Sequence, residues 1–337
     1  MPRTHPRPPR SSGTSGGLLD LPALAAKVDP GLVDVDIQLN KPNAHAAGTG
    51  IVLDSSGVVL TNNHVISGAS SITATDIGDG HSYPATVVGY DRAHDIAVLQ
   101  LQGASDLPTA VIGNSGAVAV GDRIAAIGNA GGRGGTPSIV AGTVSALNQA
   151  AAVSDDITGS VEHLTGLIEM AADIQPGDSG GPLVNAAGEV IGVDTAGTTG
   201  SRAAPTGAGL AIPINDAITI SKQIQAGTAS DTIHIGATGV LGILAQDNGG
   251  PGRHARLAHR HSGVAVTGVV AGSPAEQAGL TAGDKIVSLG GTVVDSTDAL
   301  ITALTAHHPG DSVQVAWAGR SGQQHSATVT LAPGPPN

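Results

Sequence analysis

Alternating apolar and polar residues dominate the first hundred positions. Val33, Val35, Ile37 and Leu39 alternate with Asp34, Asp36, Gln38 and Asn40, the period of a strand with one buried face. Gly48-Thr49-Gly50-Ile51-Val52-Leu53 runs through the turn Asp54-Ser55-Ser56-Gly57 into Val58-Val59-Leu60, which reads as a hairpin. Ala85–Val88 and Ile96–Leu101 add apolar runs of strand length. A second set follows at Arg123–Ile127, Ile139–Val144, Leu167–Met170, Pro182–Val184, Val190–Val193 and Gly209–Ile214. Short strands at this spacing predict two closed barrels, at about residues 31–115 and 116–232, with a helix over Asn215–Gln225 closing the second.

The last hundred residues change pattern. Strands are predicted at Val240–Ala245, Val264–Val270, Lys285–Leu289, Ser312–Ala318 and Ser326–Leu331. Between them fit a short helix opening at Pro274 after Ser273 and a second over Thr297–Ala306, with Leu300, Ile301 and Leu304 on one face. This predicts a separate module over 233–332. Residues 1–30 are expected to be disordered and 333–337 to form a Pro-rich tail.

Composition narrows the picture. Of 337 residues 40% are hydrophobic, yet the aromatics are only Trp317, Tyr83 and Tyr90, so the cores must be built from Val, Ile, Leu and Ala. The formal net charge of −12 argues against nucleic acid as a partner. Cysteine is absent, which excludes a disulfide framework and a cysteine-based zinc site. No apolar run approaches the roughly 20 residues of a membrane span. Arg3, Arg7 and Arg10 precede the apolar stretch Leu18–Ala26, but Asp20 and Pro22 interrupt it, so no signal peptide is read.

The chemistry lies in three motifs. Gly177-Asp178-Ser179-Gly180-Gly181-Pro182 sets a hydroxyl among glycines and a proline, a tight turn that exposes a nucleophile beside converging N–H groups. Leu60-Thr61-Asn62-Asn63-His64-Val65 ends an apolar strand on a histidine, and Asp95 directly precedes the apolar run Ile96–Leu101. Each has an ordinary reading alone: a strand-end histidine, a turn aspartate, a Gly-rich loop. The serine motif also fits the G-x-S-x-G pattern of α/β-hydrolases, but that fold needs a helix after the serine and its Asp and His downstream. The order His64, Asp95, Ser179 is that of chymotrypsin-like proteases. Ser179 is then the nucleophile, His64 its base and Asp95 the orienter, with the N–H groups of Gly177 and Ser179 as the oxyanion hole.

These motifs, with Ile174-Gln175-Pro176 before the serine and Gly209-Leu210-Ala211-Ile212-Pro213-Ile214 after it, resemble the HtrA/DegP family of serine proteases, most of all its actinobacterial PepA-type members. The resemblance covers about Asp29 to Leu331. It implies a mostly β chain: a chymotrypsin-like double β-barrel followed by a PDZ domain of the permuted bacterial type. It also implies endopeptidase action on unfolded or damaged proteins, secretion or residence in the cell envelope, and no cofactor or metal. The alternative is a peptide-binding chaperone or scaffold with little proteolysis. Family trimers are held by N-terminal aromatics, and this chain has none before Tyr83. No Ile-Val-Gly-Gly-like activation sequence precedes the first barrel, so pairing of a new N-terminus with Asp178 is not expected.

Two further sites follow from the resemblance. Asp173 lies six residues before Ser179, where trypsin-like enzymes carry the acidic floor of the S1 pocket. It either selects Lys or Arg at P1 or points away, while Ile174 fits the small aliphatic P1 preference usual among HtrA relatives. Val240-Leu241-Gly242-Ile243 and Ser273-Pro274-Ala275-Glu276-Gln277-Ala278-Gly279-Leu280 resemble PDZ signatures. They imply that Leu241, Gly242 and Ile243 hold the carboxylate of a C-terminal peptide, with Leu300, Ile301 or Leu304 lining the side-chain pocket or packing the core. The insertion Arg253–His261 holds three histidines and three arginines. It reads as a solvated basic loop, with metal binding or pH sensing as the sharper alternative. His307 and His308 are expected at the surface.

Overall fold

The computed structural model describes residues 18–39, 44–154, 161–195, 198–199, 208–246 and 263–336. The first 17 residues and the basic insertion lie outside them. Helix α1 (Leu21–Val28) leads into the first barrel, built from β1 (Leu32–Leu39), β2 (His45–Asp54), β3 (Val58–Thr61), β4 (Ala69–Asp76), β5 (Ser82–Asp91) and β6 (Ile96–Leu101). The strand order β5-β4-β1-β2-β3-β6 is closed by β5–β6 pairing. One-turn α2 (Asn63–Ile66) follows β3. The inward positions of the β1 alternation, Val33, Val35 and Ile37, sit in the barrel core with Val59, Leu99 and the fully buried Tyr90.

The second barrel comprises β7 (Arg123–Gly128), β8 (Ser138–Ser154), β9 (Val161–Met170), β10 (Pro182–Asn185), β11 (Val190–Thr195) and β13 (Gly209–Pro213), with the short β12 (Thr198–Thr199) added on β8. Its order β8-β7-β10-β11-β13-β9 closes by β8–β9 pairing. Ile124, Ile168, Met170, Leu183 and Ala211 fill its interior. A third cluster joins the barrels and takes in α3 (Ile214–Gln225) through Ala217, Ile220 and Ile224. Val, Ile, Leu and Ala dominate all three.

The C-terminal module has β16 (Ile243–Gln246), β17 (Val264–Val269), β18 (Lys285–Leu289), β20 (Ser312–Ala318) and β21 (Gln324–Thr330) in that sheet order, with β19 (Thr292–Val293) on β18 and helices α4 (Pro274–Gln277) and α5 (Thr297–Thr305). Ser273 caps α4 through a bond from Glu276 N to its Oγ. Trp317 packs in a core with Leu241, Val266 and Leu300. The predicted strand over Val240–Ala245 is split into β15 (Thr238–Val240) and β16, because Gly242 turns at φ +76°.

Three boundaries differ from the sequence expectation. Residues 21–30 are ordered: Asp20 Oδ1 caps Ala23 N, Pro22 sits in the first turn, and Leu24 and Val28, four apart, are buried. The two residues that break the apolar run are therefore helix-start signals. Residues 233–235 form β14 (Ile233–Ile235) on the edge of barrel one against β5, so the third module begins after them. The Pro-rich end is not loose either, since β22 (Ala332–Gly334) pairs with β15 and Pro336 O accepts from Gly68 N.

Candidate active site

The site is assembled from loops of both barrels. His64 lies on α2, whose single turn carries its ring from the end of β3 toward Asp95. Its Nδ1 is 2.8 Å from Asp95 Oδ2 and 3.0 Å from Oδ1, and its backbone N–H donates to Oδ1 at 2.9 Å. From barrel two, Thr195 Oγ1 donates to Oδ2 at 3.1 Å. Asp95 is fully buried, and no cation faces its carboxylate among these contacts. Convergent donors make the buried charge tolerable. The residue has a left-handed backbone, φ 54° and ψ 44°, where the turn Arg92–His94 meets β6. Such strain in a non-glycine marks a position the surroundings over-determine. Asn62 Nδ2 fixes it further by donating to the Asp95 carbonyl at 2.9 Å.

The Ser179 turn packs against the strands that precede His64. A Cβ on Gly48 would lie 2.7 Å from Val65 Cγ1 and 3.1 Å from Ser179 O; one on Gly180 would lie 2.1 Å from Thr49 O and 2.2 Å from Thr61 Oγ1. Only a residue without a side chain permits this approach. Thr49 clamps the turn from barrel one. Its N–H donates to Ser179 O at 2.8 Å, its Oγ1 donates to Gly177 O at 2.9 Å, and that hydroxyl accepts from Asn129 N at 2.9 Å.

The same contacts orient two backbone donors. Pro176 O accepts from Gly131 N at 2.7 Å and Asp178 O accepts from Gly181 N at 2.9 Å. A trans peptide points its N–H opposite to its carbonyl. The Gly177 and Ser179 N–H groups are thereby aimed away from the Gly131 loop and from Gly181. Gly177 N–H makes no hydrogen bond among the described residues. Its own φ is +101°, and a Cβ there would strike Asn129 O at 2.0 Å.

Asp178 is half of a buried acidic pair. Its Oδ2 accepts from Gln175 N at 2.8 Å and its Oδ1 from Ser138 Oγ at 3.1 Å. Burial pushes its carboxyl up from the ordinary range, and those two bonds oppose the rise. The carboxyl is thus held from within barrel two. The other member, Asp194, lies on β11, and the charge of Asp178 adds to the effect of burial on its carboxyl. Across the cleft, Asp34 of β1 reaches Gly135 N at 2.9 Å, while burial and the neighbouring Asp36 push its carboxyl to about 6.

The remaining sequence candidates separate. Asp173 is exposed, so it does not form the floor of a poorly solvated pocket. Ile174 packs against the barrel-two core. Leu241 is buried, Gly242 turns, and Ile243 opens the edge strand β16. Leu300 and Leu304 belong to the module core, leaving Ile301 half-buried. Among the described residues no cluster of three or more His, Cys, Asp or Glu is placed to hold a metal, and no helix is long and apolar enough to cross a membrane. The sequence reading missed Thr195, Asn129 and the clamp role of Thr49. A hydroxyl ending an apolar strand after the nucleophile is the only local signal for Thr195.

Exchange of Thr49 for valine keeps the shape and removes the hydroxyl that bridges Gly177 O and Asn129 N. Steady-state kinetics on a peptide substrate are expected to show kcat lowered about 10-fold or more with KM little changed, a fraction of what loss of an oxyanion donor itself costs.

Two β-barrels with a His–Asp pair and a glycine-flanked serine in their cleft, followed by a peptide-strand-binding fold, define a trypsin-like serine protease domain joined to a PDZ domain. A trypsin-like peptidase domain model matches residues 48–193 and a PDZ domain model residues 239–331. Serine protease PepD of Mycobacterium tuberculosis is 33% identical over 91% of the chain and 65% of its own length. Periplasmic pH-dependent serine endoprotease DegQ of Escherichia coli is 35% identical over 84% of the chain and 59% of its own length. The chain thus spans about three fifths to two thirds of these curated relatives. The solved structure of HtrA-type protease AlgW with tripeptide superposes at TM-score 0.51 and 28% identity, covering 94% of this chain and 98% of that one. The chain is thus similar to the HtrA/DegP family of trypsin-like serine proteases. The relatives do not narrow it to the PepA-type members.

Proposed function

We propose that the chain is a serine endopeptidase that cuts unfolded or damaged proteins through His64, Asp95 and Ser179, with C-terminal peptides at its PDZ domain regulating the activity. Ser179 Oγ attacks the scissile carbonyl while His64 Nε2 takes its proton. Asp95 keeps the imidazole proton on Nδ1 and stabilises the imidazolium that forms. The N–H groups of Gly177 and Ser179 receive the oxyanion. His64 then protonates the leaving amine, and a water repeats the sequence on the acyl-enzyme. The observation that carries this reading is the buried Asp95 carboxylate with His64 Nδ1 at 2.8 Å and a hydroxyl from the other barrel on the same oxygen. The outward-turned Gly177 N–H supports a hole that is already oriented.

Regulation has a physical route. Among the described residues the strand β16 has one neighbour, β17, and such an edge accepts a peptide strand. Helix α5 is tied to the catalytic segment by Arg92 and Asp298, 2.9 Å apart, three residues before Asp95. His234 adds a second tie. It pairs through its backbone with Tyr90, and its Nδ1 lies 2.6 Å from Thr305 O on α5. DegQ is named as a periplasmic protease, and we place this activity in the cell envelope or outside the cell.

Incubation with unfolded casein tests the reading, with and without a peptide that has a free C-terminus. Fragments are expected from the native chain and none from Ser179→Ala, which still binds the peptide. Absence of fragments from the native chain in both conditions would favour a peptide-binding chaperone.

A further inference from the structure

Asp194, near the end of β11, is fully buried, and neither carboxylate oxygen has a hydrogen-bond partner among the described residues. Its backbone is engaged with the nucleophile turn: its carbonyl accepts from Gly180 N at 2.9 Å and its N–H donates to Gly181 O at 2.8 Å. Its neighbour Thr195 holds Asp95.

The direction of the carboxyl follows from register. Asp194 lies opposite Ala211 of β13, and Ala211 lies opposite Ile168 of β9. Paired residues share a face of a sheet. Ala211 and Ile168 face the interior of barrel two, the same cluster on which Ile174 packs. Gly209 completes this wall, with Ala172 O, Ile174 Cγ1 and Met170 Cγ each 3.0 Å from where its Cβ would lie. The Asp194 carboxyl therefore shares the apolar inner face of barrel two, and its backbone is bonded to Gly180 and Gly181, the two residues that follow Ser179. Burial holds its pKa well above the ordinary carboxylate range, and the charge of nearby Asp178 adds to this. Asp178 is satisfied by Gln175 and Ser138, whereas the Asp194 carboxyl has no hydrogen-bond partner among the described residues. A buried group of this kind is costly unless something pairs with it. A neutral carboxyl offers one donor and one acceptor, the complement of a hydroxyl.

We propose that Asp194 is the specificity-determining residue of the P1 pocket, its carboxyl pairing with the hydroxyl of a short P1 side chain so that threonine is preferred to valine. The inference rests on the peptidase reading above. It departs from the purely aliphatic P1 preference that the family resemblance implies. Longer P1 residues would overrun the carboxyl into Ile168 and Met170. Threonine and valine have nearly the same shape, so their ratio isolates the hydroxyl, and a site built to pair it penalises the analogue that lacks it.

The test uses the full chain and two quenched peptides identical except for Thr or Val at P1, with the cleavage position read by mass. The native chain is expected to show kcat/KM at least about 10-fold higher for Thr. Asp194→Asn, which retains an acceptor and a donor, keeps that preference, and Asp194→Val reverses it. The fluorophosphonate labelling rate of Ser179 in each variant reports whether the site is intact. A native ratio near one overturns the proposal while labelling leaves the peptidase reading standing. A ratio unchanged in an Asp194→Val variant that labels overturns it as well. Absence of labelling in the native chain removes the peptidase reading and this proposal together.

Discussion

Asp95→Asn is expected to lower kcat by roughly 10⁴-fold while the protein stays folded, the loss seen for the same exchange in the serine-protease triad that supplies this magnitude. The cause is tautomeric. The Asp95 carboxylate accepts from His64 Nδ1, from the His64 backbone N–H and from Thr195 Oγ1. An amide at this position can turn its NH₂ toward the ring, so that Nδ1 accepts and the proton moves to Nε2. His64 then cannot take the proton of Ser179. The substitution leaves volume and packing nearly unchanged, so thermal melting should shift far less than activity. Measured kcat on a peptide substrate, beside Tm, separates the two. A kcat within 10-fold of the native value would contradict the role of Asp95.

Gly177→Ala is expected to cost about 10²- to 10³-fold in kcat, the loss of one oxyanion donor. Two independent constraints act there. The backbone has φ +101°, and an added Cβ would sit 2.0 Å from Asn129 O. The turn can relieve both only by rotating the peptides around residue 177, which pulls Pro176 O from Gly131 N and Gly177 O from Thr49 Oγ1. The Gly177 N–H is then no longer aimed into the cleft. The strained backbone adds about 1–3 kcal/mol of destabilisation, so Tm falls by several degrees in a domain of this size. Unchanged kcat with lowered Tm would mean that this N–H is not a catalytic donor.

The contrast between these predictions and the sequence shows where legibility ends. His64, Asp95 and Ser179 stand out in the sequence because each sits in a short motif whose local pattern is itself demanding: a histidine after an apolar strand, an aspartate before one, a serine among glycines. Thr49 lies inside a readable motif, but its action is across the barrels, on Gly177 and Asn129, and no local pattern encodes that. Spacing left Asp173 either as the acid of the substrate pocket or pointing away, and its exposure favours the second. The burial of Asp194 has no such local signal, because it follows from a register set by β13. Asp20 and Pro22 read as interruptions of an apolar run, although they start α1. The prolines after residue 332 read as a tail because proline withholds an N–H, yet Ala332–Gly334 still pair with β15. Barrel topology was legible through strand alternation, whereas the closing pairings β5–β6 and β8–β9 depend on contacts distant in sequence.

The most direct measurement of the central claim is covalent labelling of the full chain by a fluorophosphonate, with the modified residue located by peptide mass. Labelling is expected at Ser179 in the native chain, strongly reduced in His64→Ala and absent in Ser179→Ala, with a PDZ-binding peptide changing its rate. No labelling of the native chain with or without that peptide, or labelling at another residue, would contradict a His64–Asp95–Ser179 peptidase.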